Sequence, residues 1–356
     1  MDDLSLVTSG TKISGWTGVS VTRSLERFPS GFNISMTERY PGESGHVVVT
    51  PGDSAQVFIG SDLVVTGYVD RFMPSISAGQ HSISVVGRGR CQDLVDCSHA
   101  WNGCQMANVT VQKIAGNLCA AYGITVRALV DTGAPIPFVS MPWSDTPYGI
   151  IETHARYRQL LVYENEAGEL VLNQANTGAT ADRGSLIVEG VNLESGSMLF
   201  GIDQRYSEYV VRQLSMDTFS DVGGAPDVLG VYKDPAVPRF RRRSIIAESG
   251  DGQGYPVSIA RAQWEAARRA GRGTMLTLTV DSWRNQDGKL WAPNDLVTVV
   301  AESLRVPKVT WLISEVTYRR DETGTHADLS IMPAAALQPQ PINLFPAMAD
   351  VVGANQ

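Results

Sequence analysis

From Trp16 to Arg90 apolar and polar residues alternate, the period of two that marks strands with one face buried. Val19 and Val21 alternate with Ser20 and Thr22, Phe32, Ile34 and Met36 with Asn33, Ser35 and Thr37, and Ile83 and Val85 with Ser82 and Ser84. Between these runs lie Pro29-Ser30-Gly31, Pro41-Gly42, Pro51-Gly52-Asp53 and Ala78-Gly79, residues that suit the backbone angles of turns. Short antiparallel strands at this spacing predict a small sandwich or barrel. After Cys97 the period lengthens. Val109, Val111, Ile114 and Leu118 fall at helical spacing, with Asn108 as N-cap and Tyr122-Gly123 as the stop. A strand over Ile124–Leu129, a proline-rich connection over Asp131–Trp143, a helix over Thr146–Arg158 and a hairpin of Leu160–Tyr163 and Leu170–Leu172 complete an α/β unit.

Strand character returns from Ser185, clearest in Tyr206–Arg212, Met275–Trp283, Leu296–Val300, Trp311–Tyr318 and Ala327–Met332. An insertion interrupts it, predicted as a loop over Pro235–Gly254 and a helix over Ser258–Ala270. Beyond Met332 the chain is rich in Ala, Pro and Gln, the pattern of a tail that orders only against a partner.

Two stretches share one outline. Pro51-Gly52-Asp53 leads to Val57–Ile59, Thr66–Asp70 and His81–Val85; Pro293-Asn294-Asp295 leads to Val297–Val299, Ile313–Thr317 and Ala327–Ile331. Both read as turn, short strand, longer strand, polar turn and alternating strand, which suggests two copies of one β-meander. Any two three-stranded meanders share that outline, so the alternative stays open at the level of sequence.

At 356 residues the chain is long enough for two to three domains, at about 100–200 residues each. A formal net charge of −8 argues against a general nucleic-acid binder, which gains affinity by neutralising phosphates. The start, Met1-Asp2-Asp3-Leu4, lacks the basic and apolar regions of a secretion signal, and no run approaches the ~18 apolar residues of a membrane span, so no membrane anchor is expected. Synthesis in the cytosol then favours free thiols for Cys91, Cys97, Cys104 and Cys119.

Candidate chemistry is sparse. Cys91, Cys97, His99 and Cys104 are close in sequence but lack the paired C-x₂₋₄-C spacing that brings two thiolates to one zinc ion, so they read as thiols in or near a core and no metal site is assigned. Gly42-Glu43-Ser44-Gly45 is not a nucleophile elbow, and no zinc-protease or phosphate-loop motif occurs. The histidines His46, His81, His99, His154 and His326 are scattered over separate segments. Accordingly no catalytic, cofactor-binding or metal residue is named and no cofactor is expected. Arg239 with Arg241, Arg242 and Arg243 is the dense basic run; it reads as a solvated loop face or a source of intersubunit salt links, with contact to DNA or an acidic partner as the alternative. The helix that follows carries Ile259, Ala262, Ala266 and Ala270 on one face, which packing explains.

Several segments in order resemble a known family. Trp16-Thr17-Gly18-Val19-Ser20-Val21-Thr22-Arg23-Ser24-Leu25-Glu26, Thr66-Gly67-Tyr68-Val69-Asp70, Gly87-Arg88-Gly89-Arg90 with Asp93–Ser98, Tyr206–Val211, Trp264-Glu265-Ala266 and Asp287–Asn294 are similar to the baseplate hub proteins of phage Mu and Mu-like prophages, and more remotely to the T-even phage hub and the base of type VI secretion spikes. The resemblance implies a mainly β fold with α+β parts: two similar small antiparallel β-barrels, an interposed α/β domain and a helix-containing insertion. On this chain the expected division is 1–96 for the first barrel, 97–182 for the α/β domain, 183–234 with 273–335 for the second barrel, 235–272 for the inserted loop and helix, and 336–356 for the tail. The implied function is structural, not enzymatic. Three subunits would form a ring of near six-fold symmetry in the baseplate of a contractile tail, joining the hexameric tail tube, or a distal tube protein, to a trimeric spike on a separate polypeptide. DNA would pass along the axial channel without specific binding, past a bore expected to be lined by carboxylates. Such a protein is assembled in the host cytoplasm and ends in the virion. A receptor- or carbohydrate-binding tail module and a cell-wall hydrolase are the other classes open; clustered exposed aromatics or a functional acid pair would favour them.

Overall fold

A computed structural model describes residues 2–37, 49–78, 80–178, 185–213, 228–247 and 254–338. The first β region holds β1 (Leu4–Thr8), β2 (Thr11–Ile13), β3 (Gly18–Ser24), β4 (Gly31–Thr37), β5 (Ser54–Ile59), β6 (Asp62–Ser77) and β7 (Gln80–Gly89). The alternation read from sequence is the burial pattern: Val19, Val21, Phe32, Ile34, Ile83 and Val85 are all buried in one core. The turns at Pro41-Gly42 and at Gly79 lie outside the described residues. β6 is longer than its sequence suggested; Phe72 still packs against that core, and from Met73 to Ser77 the side chains are exposed.

The middle unit contains α1 (Asp93–Asp96), β8 (Gln105–Val109), α2 (Val111–Cys119), β9 (Val126–Ala128), β10 (Ile136–Ser140), α3 (Pro147–Tyr157), β11 (Leu161–Glu164) and β12 (Leu170–Asn173). Thr110, not Asn108, caps α2, its side chain accepting from Lys113 N at 3.2 Å. Asn108 instead belongs to β8, which pairs with β10 inside the proline-rich connection; this distant partner competes successfully for the backbone. Thr146 caps α3 with Pro147 just inside the first turn. Val111, Ile114 and Leu118 pack with Ile151, Leu160 and Leu170 in a separate core.

The second β region holds β13 (Leu186–Val188), β14 (Leu193–Phe200), β15 (Glu208–Gln213), β16 (Val228–Lys233), β17 (Arg242–Ala247), α4 (Gly254–Arg272), β18 (Thr274–Val280), β19 (Leu296–Ala301), β20 (Val306–Asp321) and β21 (Gly324–Met332). Three expectations change here. Tyr206–Arg212, expected in the second barrel, supplies β15 of a separate three-stranded sheet, β16-β15-β17, on which α4 packs through Ala262 and Ala266 against Tyr209 and Val211. The predicted loop over Pro235–Gly254 contains β17, recruited by parallel pairing with β15. The stretch after Met332 packs as far as it is described: Ala336 and Leu337 are buried and Gln338 O accepts from Trp264 Nε1 at 2.8 Å, while 339–356 lie outside the described residues.

Nor do the strands close as two separate barrels. Among the described residues they form one hydrogen-bonded path, β14-β18-β21-β20-β3-β4-β7-β6-β5-β1-β2, with β19 and β13 branching from β20. The physical reason is the antiparallel pairing of β3 with β20, which fuses the two regions into a single mainly antiparallel sheet over one shared core.

Candidate assembly interface

The strand path contains the same unit twice. In the segment β14-β18-β21-β20 and in the segment β3-β4-β7-β6 every neighbouring pair is antiparallel, and the last strand also pairs with a shorter one, β19 or β5. The likeness reaches single hydrogen bonds. Gly52 N donates to Val69 O at 2.8 Å and Val69 N to Asp53 O at 3.0 Å; Asn294 N donates to Ile313 O and Ile313 N to Asp295 O, both at 2.9 Å. Gly52 and Asn294 both have left-handed backbones, with φ of 96° and 72°. One step beyond each junction the ladder breaks register, between Val69 and Arg71 against β7 and between Ile313 and Glu315 against β21. Two unrelated meanders would not share a turn, a left-handed residue and a bulge at matching places, so the repeat suggested by sequence is a duplication of structure.

The units meet at the β3–β20 seam. Glu315 lies opposite Ser24, Thr317 opposite Thr22 and Arg320 opposite Val19, and the pairing is prolonged by Leu25 N donating to Ser314 O at 2.8 Å. Thr22 and Thr317 share a hydroxyl hydrogen bond of 2.9 Å, and Arg23 reaches Glu166 at 3.0 Å. Farther along, Arg320 holds Asp3 at 2.8 Å, while Arg284 bridges Asp2 and Asp62. Wherever β20 pairs with β3 its edge is covered. The matching half of β6, from Arg71 to Ser77, has β7 on one side and no strand on the other among the described residues, and β14 likewise has β18 as its ladder partner, with an isolated bridge from Leu193 to Glu189 at its start.

A second joint ties the first β region to the middle unit. Glu164, at the end of β11, is buried and accepts Ser30 N at 3.0 Å and Cys91 N at 2.8 Å. Burial pushes its carboxyl above the usual carboxylate range against the pull of these two donors. Gly89 leaves room for it, since a Cβ there would stand 1.8 Å from Glu164 Oε2.

The basic run is tied into the insertion. Arg242 pairs with Glu208 at 2.9 Å and Arg243 with Glu265 at 3.3 Å; Arg241, Arg243 and Arg269 approach the ring of Tyr206 to 5.1, 5.6 and 5.4 Å. Phe240 beside them is exposed. Cys91 and Cys119 are buried thiols, and burial pushes Cys119 up to about 12; Cys104 is exposed and Cys97 half-buried. Among the described residues no group of three or more His, Cys, Asp or Glu could hold a metal ion. His99 bonds Pro142 O at 2.9 Å, His154 bonds Ile150 O at 2.8 Å, and His326 bonds Glu194 at 2.6 Å, so the structure does not bring them together. His46 lies outside the described residues. Trp283 and Trp291 are buried, whereas Trp143 is exposed. Sequence reasoning missed the open β6 edge and the Glu164 joint. Pro74 inside a strand pattern was the available signal for the first, because proline is confined to edges; nothing local marks the second.

Comparison with known proteins places this architecture. Residues 3–89 match the family "Mu phage baseplate assembly protein GpP-like, N-terminal", 91–174 match "Baseplate hub protein gp44-like, second domain", and 256–340 match "Mu phage baseplate assembly protein GpP, fourth domain". The baseplate hub protein gp44 of Escherichia phage Mu is 32% identical over 343 residues, covering 93% of this chain and 87% of that protein. The crystal structure of the 43 kDa tail protein of prophage MuSo2 from Shewanella oneidensis superposes with a TM-score of 0.84 at 29% identity, covering 94% of this chain and 100% of that one. A tail protein from Neisseria meningitidis MC58 gives 0.79 at 19% identity, over 95% and 98% of the two chains, a likeness of fold. No described helix is long and apolar enough to cross a membrane. By sequence and by fold the chain belongs to the baseplate hub proteins of phage Mu and Mu-like prophages, structural components of the virion tail.

Proposed function

We propose that three copies of this chain form a closed ring at the centre of a contractile-tail baseplate, joining a six-fold tail tube to a three-fold spike. The observation that carries this reading is the duplicated four-stranded unit, joined in series within one chain. Two like units per subunit and three subunits make six like units around an axis. Such a ring offers nearly six-fold symmetry to the tube and three-fold symmetry to the spike. A ring that closes also limits growth, which an open chain of the same contacts would not. The two small barrels of the proposed architecture are the two units with their branching strands, complete only when neighbouring strands complete their edges. For domains we propose the two β units, the α/β unit between them and an insertion; the β15–β17 sheet supports assigning the strand around Tyr209 to that insertion. The net charge of −8 supports a bore that DNA crosses without sticking, since like charges do not hold a phosphate backbone. No residue is assigned a catalytic role.

Light scattering of the purified chain at micromolar concentration tests the ring. Three times the mass of one chain is expected, and projection images should show a central hole. A monodisperse monomer, or a compact trimer without a passage, overturns the proposal.

A further inference from the structure

We propose that the loop before β17 is a docking site for an acidic protein segment, which lays an apolar side chain on Phe240 and sets its carboxylates among Arg239, Arg241 and Arg243. This goes beyond the ring reading and does not depend on it. Charge carries the inference. Arg241, Arg243 and Arg269 stand 5.1, 5.6 and 5.4 Å from the centre of the Tyr206 ring. Their guanidiniums are therefore at most about 11 Å apart, roughly one screening length at about 0.1 M salt, so they repel one another in solution. One carboxylate, Glu265, is shared by Arg243 at 3.3 Å and Arg269 at 2.6 Å. Arg241 donates to the backbone oxygen of Asp203 at 2.6 Å and has no ion pair among the described residues; the exposed Arg239 has none there either. The other two arginines are matched, Arg205 with Asp234 at 2.8 Å and Arg242 with Glu208 at 2.9 Å. A chain with a formal charge of −8 thus keeps a local excess of positive charge that its own neighbouring carboxylates leave unmatched.

The loop is pinned at both ends. Ala236 N donates to Asp234 Oδ1 at 3.0 Å and Val237 N to Asp234 O at 3.3 Å, and both Asp234 and Val237 are buried. At the far end Arg241 N donates to Ser207 Oγ at 2.8 Å, and that hydroxyl donates to Arg241 O at 3.1 Å. Pro235 and Pro238 fix two more backbone angles. Between these anchors Phe240 is 78% exposed, the most exposed large hydrophobic side chain among the described residues. A loop ordered in advance loses little conformational freedom when a partner arrives, and an aromatic ring beside arginines has the composition of an interface anchor. A nucleic acid could also stack a base on such a ring. Its phosphate backbone, however, meets the repulsion of the whole acidic chain along its length, whereas a short acidic segment meets the local excess alone.

The test uses the full chain and a fluorescein-labelled heptapeptide of Asp and Glu with one central Leu, read by fluorescence anisotropy. Saturable binding with a Kd below about 1 mM is expected. Arg241→Gln should weaken it at least about tenfold and Phe240→Ser at least about threefold. Circular dichroism should stay unchanged in both, since Ser207 bonds the backbone of Arg241 and Phe240 is exposed. Replacing the acids by Lys should abolish binding, and replacing the Leu by Ala should weaken binding to the wild type but not to Phe240→Ser. Binding that is absent up to about 1 mM, indifferent to both variants, or equal for the Lys peptide overturns the proposal. So does a single-stranded thymidine oligomer that binds more tightly than the peptide and loses affinity in the same variants, because the ligand would then be a phosphate backbone. A variant that changes the mass of the chain's assembly by light scattering marks the loop as a contact between copies, which also overturns it.

Discussion

Replacing Glu164 by alanine probes the joint between the first β region and the α/β unit. The carboxyl is 4% exposed and accepts two backbone N–H groups, Ser30 at 3.0 Å and Cys91 at 2.8 Å. Alanine leaves both donors buried without an acceptor, at about 1–3 kcal/mol each. Removing the carboxyl also relieves its own burial, worth about 1–3 kcal/mol. The expected net loss is about 2–4 kcal/mol, measured by urea unfolding, with faster amide exchange at Ser30 and Cys91. A pH arm isolates the charge through Glu164→Gln, which does not titrate. Because burial raises the folded carboxyl's pKa, its contribution is full below the unfolded value near ~4.3 and is lost as pH rises through the folded value. The stability of the wild type relative to Glu164→Gln should therefore fall as pH rises above about 4.3. A Glu164→Ala loss under about 0.5 kcal/mol, or a wild-type advantage that grows with pH, refutes this account of the joint.

Gly67→Ala should cost more than about 3 kcal/mol or abolish soluble expression, because the new Cβ would stand 1.9 Å from Arg88 O and 2.7 Å from Gly89 Cα, both backbone atoms of β7; a wild-type unfolding midpoint would contradict it. Asn294→Ala should cost about 2 kcal/mol, since it loses bonds to Asn176 N at 2.9 Å and Gln174 O at 3.1 Å and keeps the left-handed backbone. Asn294→Gly should cost roughly half as much, and equal losses would show that backbone strain carries no weight there. Trp283→Phe should cost about 1–3 kcal/mol in denaturant unfolding, because Nε1 is shared by Arg319 O and His326 O at 3.0 Å each and both carbonyls lose that donor; an unchanged midpoint would mean that they find other partners.

Much of the local structure was legible in the residues. Alternation at Val19, Val21, Phe32 and Ile34 located β3 and β4 because a half-buried strand can satisfy its core in no other way. The spacing of Val111, Ile114 and Leu118 located α2 for the same reason at helical period. Its cap was misplaced because Asn108 is a good cap in isolation, and the competing strand β10 is not adjacent in sequence. β17 was hidden in a basic run whose strand character depends on β15, and the Glu164 joint on two amides far along the chain.

By itself, the sequence determined which faces are apolar, where the chain turns and that one meander outline occurs twice. These follow from period, side-chain chemistry and backbone freedom, each set within a few residues. Only the tertiary structure decided that the two outlines share hydrogen bonds and a bulge, that β3 seals one open edge by pairing with β20, and that the equivalent edges of β6 and β14 have no second strand along them among the described residues. Strand pairing is settled by free energy summed over partners far apart in the chain, and no window along a single chain records which edge is left over.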